Sequence, residues 1–172
     1  DRGAARQYYQ QVVSAGGTAG KYYQPALVRL LEIAILQNAI GDADPELKAT
    51  LDALDRVGAG GRLAQVPYVR GKLAYAQGKL EDAVARFQEV PKGSDYEMQA
   101  AYYLGTAYVA AKDLQKATDL FTDLIARKPR TANDRRVIEL SQLALGRLYY
   151  ERDQASKSIE SYLLVDRHSD LF

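Results

Sequence analysis

The segment Tyr103–Phe121, YLGTAYVAAKDLQKATDLF, repeats the pattern of Val69–Phe87, VRGKLAYAQGKLEDAVARF. Three residue types recur in the second segment 34 residues after their place in the first. The matching pairs are Gly71 and Gly105, Ala83 and Ala117, and Phe87 and Phe121. A period of 34 residues is typical of a helix–turn–helix unit that stacks into a solenoid. Because such arrays present an extended concave surface to other proteins, the pattern predicts an interaction module.

A third copy, LGRLYYERDQASKSIESY, runs from Leu145 to Tyr162. Its Gly146 lies 41 residues after Gly105, so about seven residues (41 − 34) are inserted between the second and third copies. Ser158 replaces the alanine of the other two copies.

These segments resemble the tetratricopeptide repeat (TPR) family over residues 64–165. The family pattern has a small residue and a tyrosine in the first helix, a tight turn, an alanine and an aromatic residue in the second helix, and a closing proline. In the middle copy these places are taken by Gly105, Tyr108, Lys112-Asp113, Ala117, Phe121 and Pro129. The resemblance implies an all-α fold, a right-handed superhelical solenoid of antiparallel helix pairs, and it points to a role in binding rather than to a reaction.

We expect one TPR-like solenoid over residues 1–172, with divergent helices in 1–61 and repeats in 62–95, 96–129 and, after the insertion, 137–172. Ala4–Val12 aligns with Ala83–Val90, which is a second helix without its first, and Tyr162–Asp170 echoes Phe87–Asp95. We therefore expect a window of a longer solenoid. The alternative is an intact protein with a docked or frayed end.

The pattern predicts helices and no strands, because no segment alternates with a period of two. Asp44, Pro45 and Glu46 indicate a helix start, since they suit the cap, the first position and the positive end of the helix dipole. The glycine-rich segments 16–20 and 58–61 indicate breaks. The expected helices cover residues 3–15, 22–39, 45–57, 62–77, 80–90, 96–111, 114–127, 135–151 and 154–166.

Composition limits the possible functions. The chain has 47% hydrophobic residues, 26% charged residues and a net charge of +1, so no global field draws it to nucleic acid or anionic lipid. It has no cysteine, and no apolar run approaches the roughly 20 residues of a membrane span. We expect no nucleic-acid partner and no direct membrane insertion.

Candidate catalytic and ligand motifs have simpler interpretations. The segment Ala15–Tyr22 lacks the first glycine of a phosphate loop and has Tyr22 where Ser or Thr should contact magnesium. With one histidine, His168, and no cysteine, the usual zinc sites and Cys–His pairs are excluded within the chain. His168, Ser169 and Asp170 are adjacent in sequence only, whereas a triad is assembled in space. We predict no enzymatic activity, no catalytic residue, no metal site and no cofactor.

The dense basic stretch Arg127–Arg130 is followed by Arg135 and Arg136. It is either a contact for an acidic partner or phosphate groups, or a solvated segment whose cations offset a helix dipole. We prefer the solvated interpretation. A nucleic-acid surface would spread its basic residues along one face together with stacking aromatic residues, and this stretch is too local for that.

In the TPR family the first helix of each pair lines the concave groove. Carried over to this chain, that implies a protein- or peptide-binding stripe with residues three or four apart. Its predicted members are Tyr68, Lys72, Tyr75, Gln99, Tyr102, Thr106, Val109, Arg147 and Tyr150, with Gln65, Leu140 and Leu143 on the same face. The alternative is that several of these tyrosines and leucines pack between helices.

TPR domains that grip chaperone carboxylate tails use lysines and asparagines on this stripe. Here Tyr68, Lys72, Tyr102 and Thr106 occupy the key places without an asparagine, which argues against that subtype.

Two functions remain from the sequence: a scaffold that holds a protein or peptide partner in a multiprotein assembly, and a solenoid that oligomerises end to end. The linkers Val90–Tyr96 and Val165–Leu171 resemble those of bacterial cell-envelope TPR proteins in motility, secretion or assembly. That resemblance implies the periplasm, and a cytoplasmic adaptor is the alternative.

Overall fold

A computed structural model describes residues 2–58, 61–167, 169 and 171. The predicted glycine break at 58–61 and the trio at 168–170 lie partly outside the described residues, at Ala59, Gly60, His168 and Asp170.

Over the described residues all regular structure is helical, which confirms the predicted all-α fold. The helices are α1 Arg2–Gly16, α2 Tyr23–Leu36, α3 Pro45–Asp55, α4 Gln65–Ala76, α5 Leu80–Gln88, α6 Glu97–Ala110, α7 Leu114–Ala126, α8 Ala132–Glu151 and α9 Ala155–Leu163.

The chain forms two compact units, Asp1–Ser94 and Asp95–Phe172. In the first unit α2 packs on α1, α3 and α4, and α4 packs on α5. In the second unit α6 packs on α7, α8 packs on α6 and α7, and α9 packs on α8. Each unit has its own apolar core, with Leu31 and Leu54 fully buried in the first and Phe121 and Leu124 in the second.

The signature glycines lie where a ring of the paired helix presses against the backbone. A Cβ atom added to Gly71 would lie 2.6 Å from the Phe87 ring, and one added to Gly105 would lie 2.6 Å from Phe121. In the third copy the same distance separates a Cβ at Gly146 from the Tyr162 ring. Side-chain atoms do not approach so closely, so each of these helix pairs requires its glycine.

The third copy accommodates its serine by a hydrogen bond. Ser158 is buried like Ala83 and Ala117, and its Oγ donates to the Gly146 carbonyl at 2.8 Å. A buried hydroxyl without a partner would be costly, so this bond explains how Ser158 replaces an alanine at the helix contact.

The turn within each pair has three residues and one geometry. Its middle residue has a positive φ in all three copies, at Gly78, Lys112 and Asp153. The next N–H donates across the turn to a helix carbonyl at 2.9 Å each time, from Lys79 to Ala74, Asp113 to Tyr108 and Gln154 to Tyr149. This left-handed C-cap ends the first helix and starts its partner in the antiparallel direction.

The observed helix ends differ from the predicted ones by at most three residues. Helix α2 ends at Leu36, before the predicted residue 39, because Asn38 takes a left-handed conformation. Helix α8 begins at Ala132, earlier than residue 135, because Thr131 caps it by accepting the Asp134 N–H. The predicted start at Asp44–Glu46 is confirmed, since the Asp44 carboxylate accepts the N–H groups of Glu46 and Leu47.

We expect Gly105→Ala to lower the free energy of unfolding by about 1–3 kcal/mol, because its methyl group would displace the Phe121 ring. Urea denaturation followed by circular dichroism measures the change. The control is Gly16→Ala in α1, where a Cβ meets no atom within 4 Å, and its effect should not exceed about 1 kcal/mol. If the Gly105→Ala variant were as stable as the wild type, the close contact between Gly105 and the Phe121 ring would not be required.

Candidate protein-binding surface

The α4 stripe of the first unit consists of three half-buried side chains. The ring of Tyr68 lies 6.4 Å from that of Phe87, and Lys72 Nζ lies 5.5 Å from the centre of the Tyr68 ring. Tyr75 is one turn further along the helix and is also half-buried. Tyr68 therefore packs on the core through one part of its ring and supports a cation at the surface.

The α6 stripe of the second unit has the same construction. The Tyr102 ring lies 5.8 Å from Phe121 and makes an edge contact at 5.8 Å with Tyr103. Both tyrosines are half-buried. An alanine at Tyr102 would thus remove packing from the core as well as surface area from the stripe.

The other predicted α6 residues differ in whether their side chains remain available to a partner. Thr106 Oγ1 donates to the Tyr103 carbonyl at 2.7 Å, so its hydrogen is engaged within the helix. Val109 packs against the apolar core of the unit. Gln99 Oε1 is buried, and within the described chain it accepts no hydrogen bond.

Helix α8 carries the most exposed part of the predicted stripe. Tyr150 is 73% exposed, and Arg147, one turn earlier, is also exposed. Within the described part of the chain, neither side chain makes a hydrogen bond, ion pair or ring contact. Leu140 and Leu143, which share this face, are half-buried.

The second unit therefore joins two stripes, because α6 and α8 pack on each other. The α4 residues Tyr68, Lys72 and Tyr75 belong to the first unit and form a separate stripe. Which of these residues contact a partner stays a prediction.

A repeated tyrosine–lysine pair lies outside the predicted stripe. Lys116 Nζ lies 5.5 Å from the centre of the Tyr108 ring, and Lys157 Nζ lies 5.5 Å from that of Tyr149. Tyr108 and Lys116 also line a surface cavity of about 370 Å³ with apolar walls at Leu104 and Leu120. The eight-residue spacing from tyrosine to lysine in both copies is a sequence signal that could have identified this pair.

Two arginines of the basic stretch, Arg127 and Arg130, form ion pairs with carboxylates. Arg127 contacts Glu97 at 2.9 Å and Asp123 at 2.7 Å. Partial burial acts to lower the pKa of Arg127, but the hydrogen bonds and charges of Asp123 and Glu97 outweigh it and raise this pKa. These ion pairs argue against a free anion site at Arg127, and they show that its guanidinium is paired rather than simply solvated.

Asp134 fixes the segment that precedes α8. It is buried, and it accepts the backbone N–H of Arg130 at 2.8 Å and the Arg130 Nε–H at 3.3 Å. Burial acts to raise the pKa of Asp134, but the hydrogen bonds from Arg130 and Thr131 and the Arg130 charge outweigh it and lower this pKa.

Other kinds of site find no support in the described residues. Among them, no group of three or more His, Cys, Asp or Glu side chains could hold a metal ion. Gly17 and Gly20 follow helix α1, which ends at Gly16, rather than a strand, so a phosphate loop is not formed there. No helix in the described ranges has the length and apolar character needed to cross a membrane.

Residues 99–131 match the model of the tetratricopeptide repeat family. This segment comprises most of α6, all of α7 and the turn that leads into α8. No curated protein matches the chain.

We expect Asp134→Asn to lower the free energy of unfolding by about 1–3 kcal/mol at pH 7, because the buried acceptor of two Arg130 N–H groups loses its charge. Because folding lowers the pKa of Asp134, its ionised carboxylate makes its full contribution to the stability of the fold above the unfolded-state pKa of about 3.9. That contribution is lost as the pH falls through the folded-state pKa, so the difference from wild type should shrink below about pH 4.

Urea titrations between pH 7 and pH 3 measure this difference. The exposed Asp52→Asn is the control, with an expected effect within about 0.5 kcal/mol at each pH. A difference for Asp134→Asn that stays constant to pH 3 would contradict the assigned role.

Proposed function

This chain contains a tetratricopeptide repeat, a module that generally serves protein–protein interaction, and from it we propose a scaffold that holds a peptide or folded partner in a multiprotein assembly. The proposed binding surface in the second unit is the face formed by Gln99, Tyr102, Thr106 and Val109 of α6 with Arg147 and Tyr150 of α8. In the first unit the α4 stripe of Tyr68, Lys72 and Tyr75 is a further contact.

The pair Arg147 and Tyr150 carries this proposal. Tyr150 is 73% exposed beside the exposed Arg147, and neither side chain makes a hydrogen bond, ion pair or ring contact with the residues of the unit that the structure describes. Tyrosine and arginine are enriched where proteins bind one another, because they combine large contact area with directional hydrogen bonds.

The side chains also define the chemistry of the partner. Arg147 suits a carboxylate, which it can bind through two parallel hydrogen bonds. Tyr150 and Tyr102 offer ring surface for apolar groups. We propose a partner segment that carries acidic and apolar side chains close together.

TPR modules are generally non-enzymatic, and we propose that this protein likewise acts by binding, without a cofactor. Its net charge of +1 gives no support for nucleic acid as a partner. The resemblance of Val90–Tyr96 to linkers of bacterial envelope proteins supports a periplasmic machine for motility, secretion or assembly as the setting. A cytoplasmic adaptor is the alternative setting.

We expect Arg147→Glu with Tyr150→Ala to lower partner affinity at least about tenfold, since interface residues of these types each contribute about 1–2 kcal/mol or more. Crosslinked capture from lysate of the cells that make the protein identifies the partner, and calorimetry with the purified partner measures the affinity.

The control replaces Arg56 with Glu and Tyr22 with Ala, which is the same pair of changes at exposed sites of the first unit. Circular dichroism verifies that both variants are helical. The proposed surface would be refuted if the variant with Arg147→Glu and Tyr150→Ala bound the captured partner as tightly as the wild type does.

A second candidate function is self-association. Exposed apolar side chains at the end of α9, where the earlier copies are polar, favour it. Leu163 and Leu164 are 69% and 60% exposed, and Ile159 is exposed one turn before Leu163. The first two copies have polar residues at the leucine positions, namely Gln88 and Glu89, and Thr122 and Asp123. An apolar patch where the earlier copies are polar favours a contact with another chain.

If this patch joins copies of the protein, Leu163→Glu with Leu164→Lys should convert a concentration-dependent oligomer into a monomer. Sedimentation velocity over a hundredfold range of concentration measures the mass. The control is Glu151→Lys with Ser156→Glu, two exposed polar sites of the same hairpin. A wild-type protein that remains monomeric throughout would exclude self-association through this patch.

A further inference from the structure

A cavity of about 190 Å³ lies between α1, α2 and α3 of the first unit. Helix α2 packs on both of the other helices, and its residues Leu27 and Leu31 form the floor of the cavity. Val13 of α1 and Leu47 of α3 also line it. The cavity is thus built from the apolar core of the unit and is separate from the α4 stripe.

Small side chains leave this space open. Four alanines line it, from the end of α2 through the following turn to α3, where leucine or isoleucine would fill it, and they are Ala34, Ala39, Ala49 and Ala53. Apolar cavities of about 150 Å³ bind benzene-sized molecules. A cavity of this volume therefore accepts one aromatic ring or a branched chain of roughly six to nine carbon atoms.

The polar mouth carries more negative than positive charge. Arg6 forms an ion pair with Glu46, and Gln10 Nε2 donates to the same carboxylate at 3.4 Å. Asp44 also lines the cavity, and its carboxylate caps α3. Two carboxylates against one guanidinium disfavour an anionic ligand.

Two hydroxyl groups that line the cavity, those of Ser14 and of the buried Thr50, can act as hydrogen-bond acceptors. Ser14 Oγ donates to the Gln10 carbonyl at 2.9 Å, and Thr50 Oγ1 donates to the Glu46 carbonyl at 2.8 Å. With their hydrogens engaged, both hydroxyl oxygens retain lone pairs that can accept. One N–H group of Arg6 and one of Gln10 are directed to Glu46, and the carboxylates and hydroxyl oxygens that line the cavity provide acceptors for a ligand.

We propose that this cavity binds a small ligand with an apolar body and a single neutral or cationic hydrogen-bond donor, such as a phenol or an aliphatic alcohol or amine. The apolar body occupies the space between Leu27, Leu31 and Leu47. The donor reaches the oxygens at the mouth. The same chemistry describes a free molecule and a tyrosine side chain of a partner.

The test uses three probes that share a ring and a methyl group. They are p-cresol, which has a donor, toluene, which has no polar group, and 4-methylbenzoate, which is anionic. Methyl NMR titrations follow Leu27, Leu47 and Ala53. Saturable shifts are expected for p-cresol, a several-fold weaker affinity for toluene, and no saturation for 4-methylbenzoate.

Filling the cavity should abolish binding. Ala53→Leu places a larger side chain in the wall and should weaken p-cresol binding at least tenfold, whereas the matched control Ala85→Leu, at an exposed site of α5, should bind like wild type. If Ala53→Leu does not fold, Ala34→Leu fills the same space from α2.

A fourth probe, the capped tripeptide Gly-Tyr-Gly, distinguishes the sources of the ligand. Binding of the tripeptide with the same sensitivity to Ala53→Leu supports a partner side chain, and binding of p-cresol alone supports a free molecule. The absence of saturable p-cresol shifts, or shifts unchanged by both filling variants, would overturn the site. Equal affinity for p-cresol and 4-methylbenzoate would overturn the donor specificity.

Discussion

The contact between a helix glycine and the aromatic ring of its partner helix sets the distance within three of the helix pairs. Gly71, Gly105 and Gly146 each expose backbone to a ring that is 16 residues further along the chain. The rings need this space because they fill the interior of the pair. The ring takes the space left by the missing side chain of glycine. The free energy gained by burying the ring exceeds the cost of glycine in a helix, which is about 1 kcal/mol.

This contact also fixes the surface of the first helices. Tyr68 and Tyr102 lie one turn before their glycines, so their rings reach the same phenylalanines that the glycines admit. The predicted binding stripe and the core therefore share side chains. For the proposed surface, packing of these rings against the core limits the side-chain entropy that binding would cost.

Much of the fold could be predicted from the sequence, because the period and the spacing of glycine, alanine and aromatic residues report the helix contact directly. The bounds of α2 and α8 were wrong by three residues, since they depend on the left-handed Asn38 and the Thr131 cap. Exposure could not be predicted residue by residue. Tyr75 and Tyr150 occupy equivalent positions, yet only Tyr150 is exposed, because exposure depends on neighbouring helices. The cavity likewise arises from alanines of two helices and a turn, which no local pattern combines.

Each helix pair is held by contacts between residues close in sequence. The segments that connect successive pairs can therefore change in length. The seven additional residues between the second and third copies are partly absorbed by the 20-residue helix α8, whose Gly146 still meets Tyr162. Insertion at a joint lengthens the chain without breaking the pair on either side. Evolution can therefore vary the spacing of successive repeats at little thermodynamic cost.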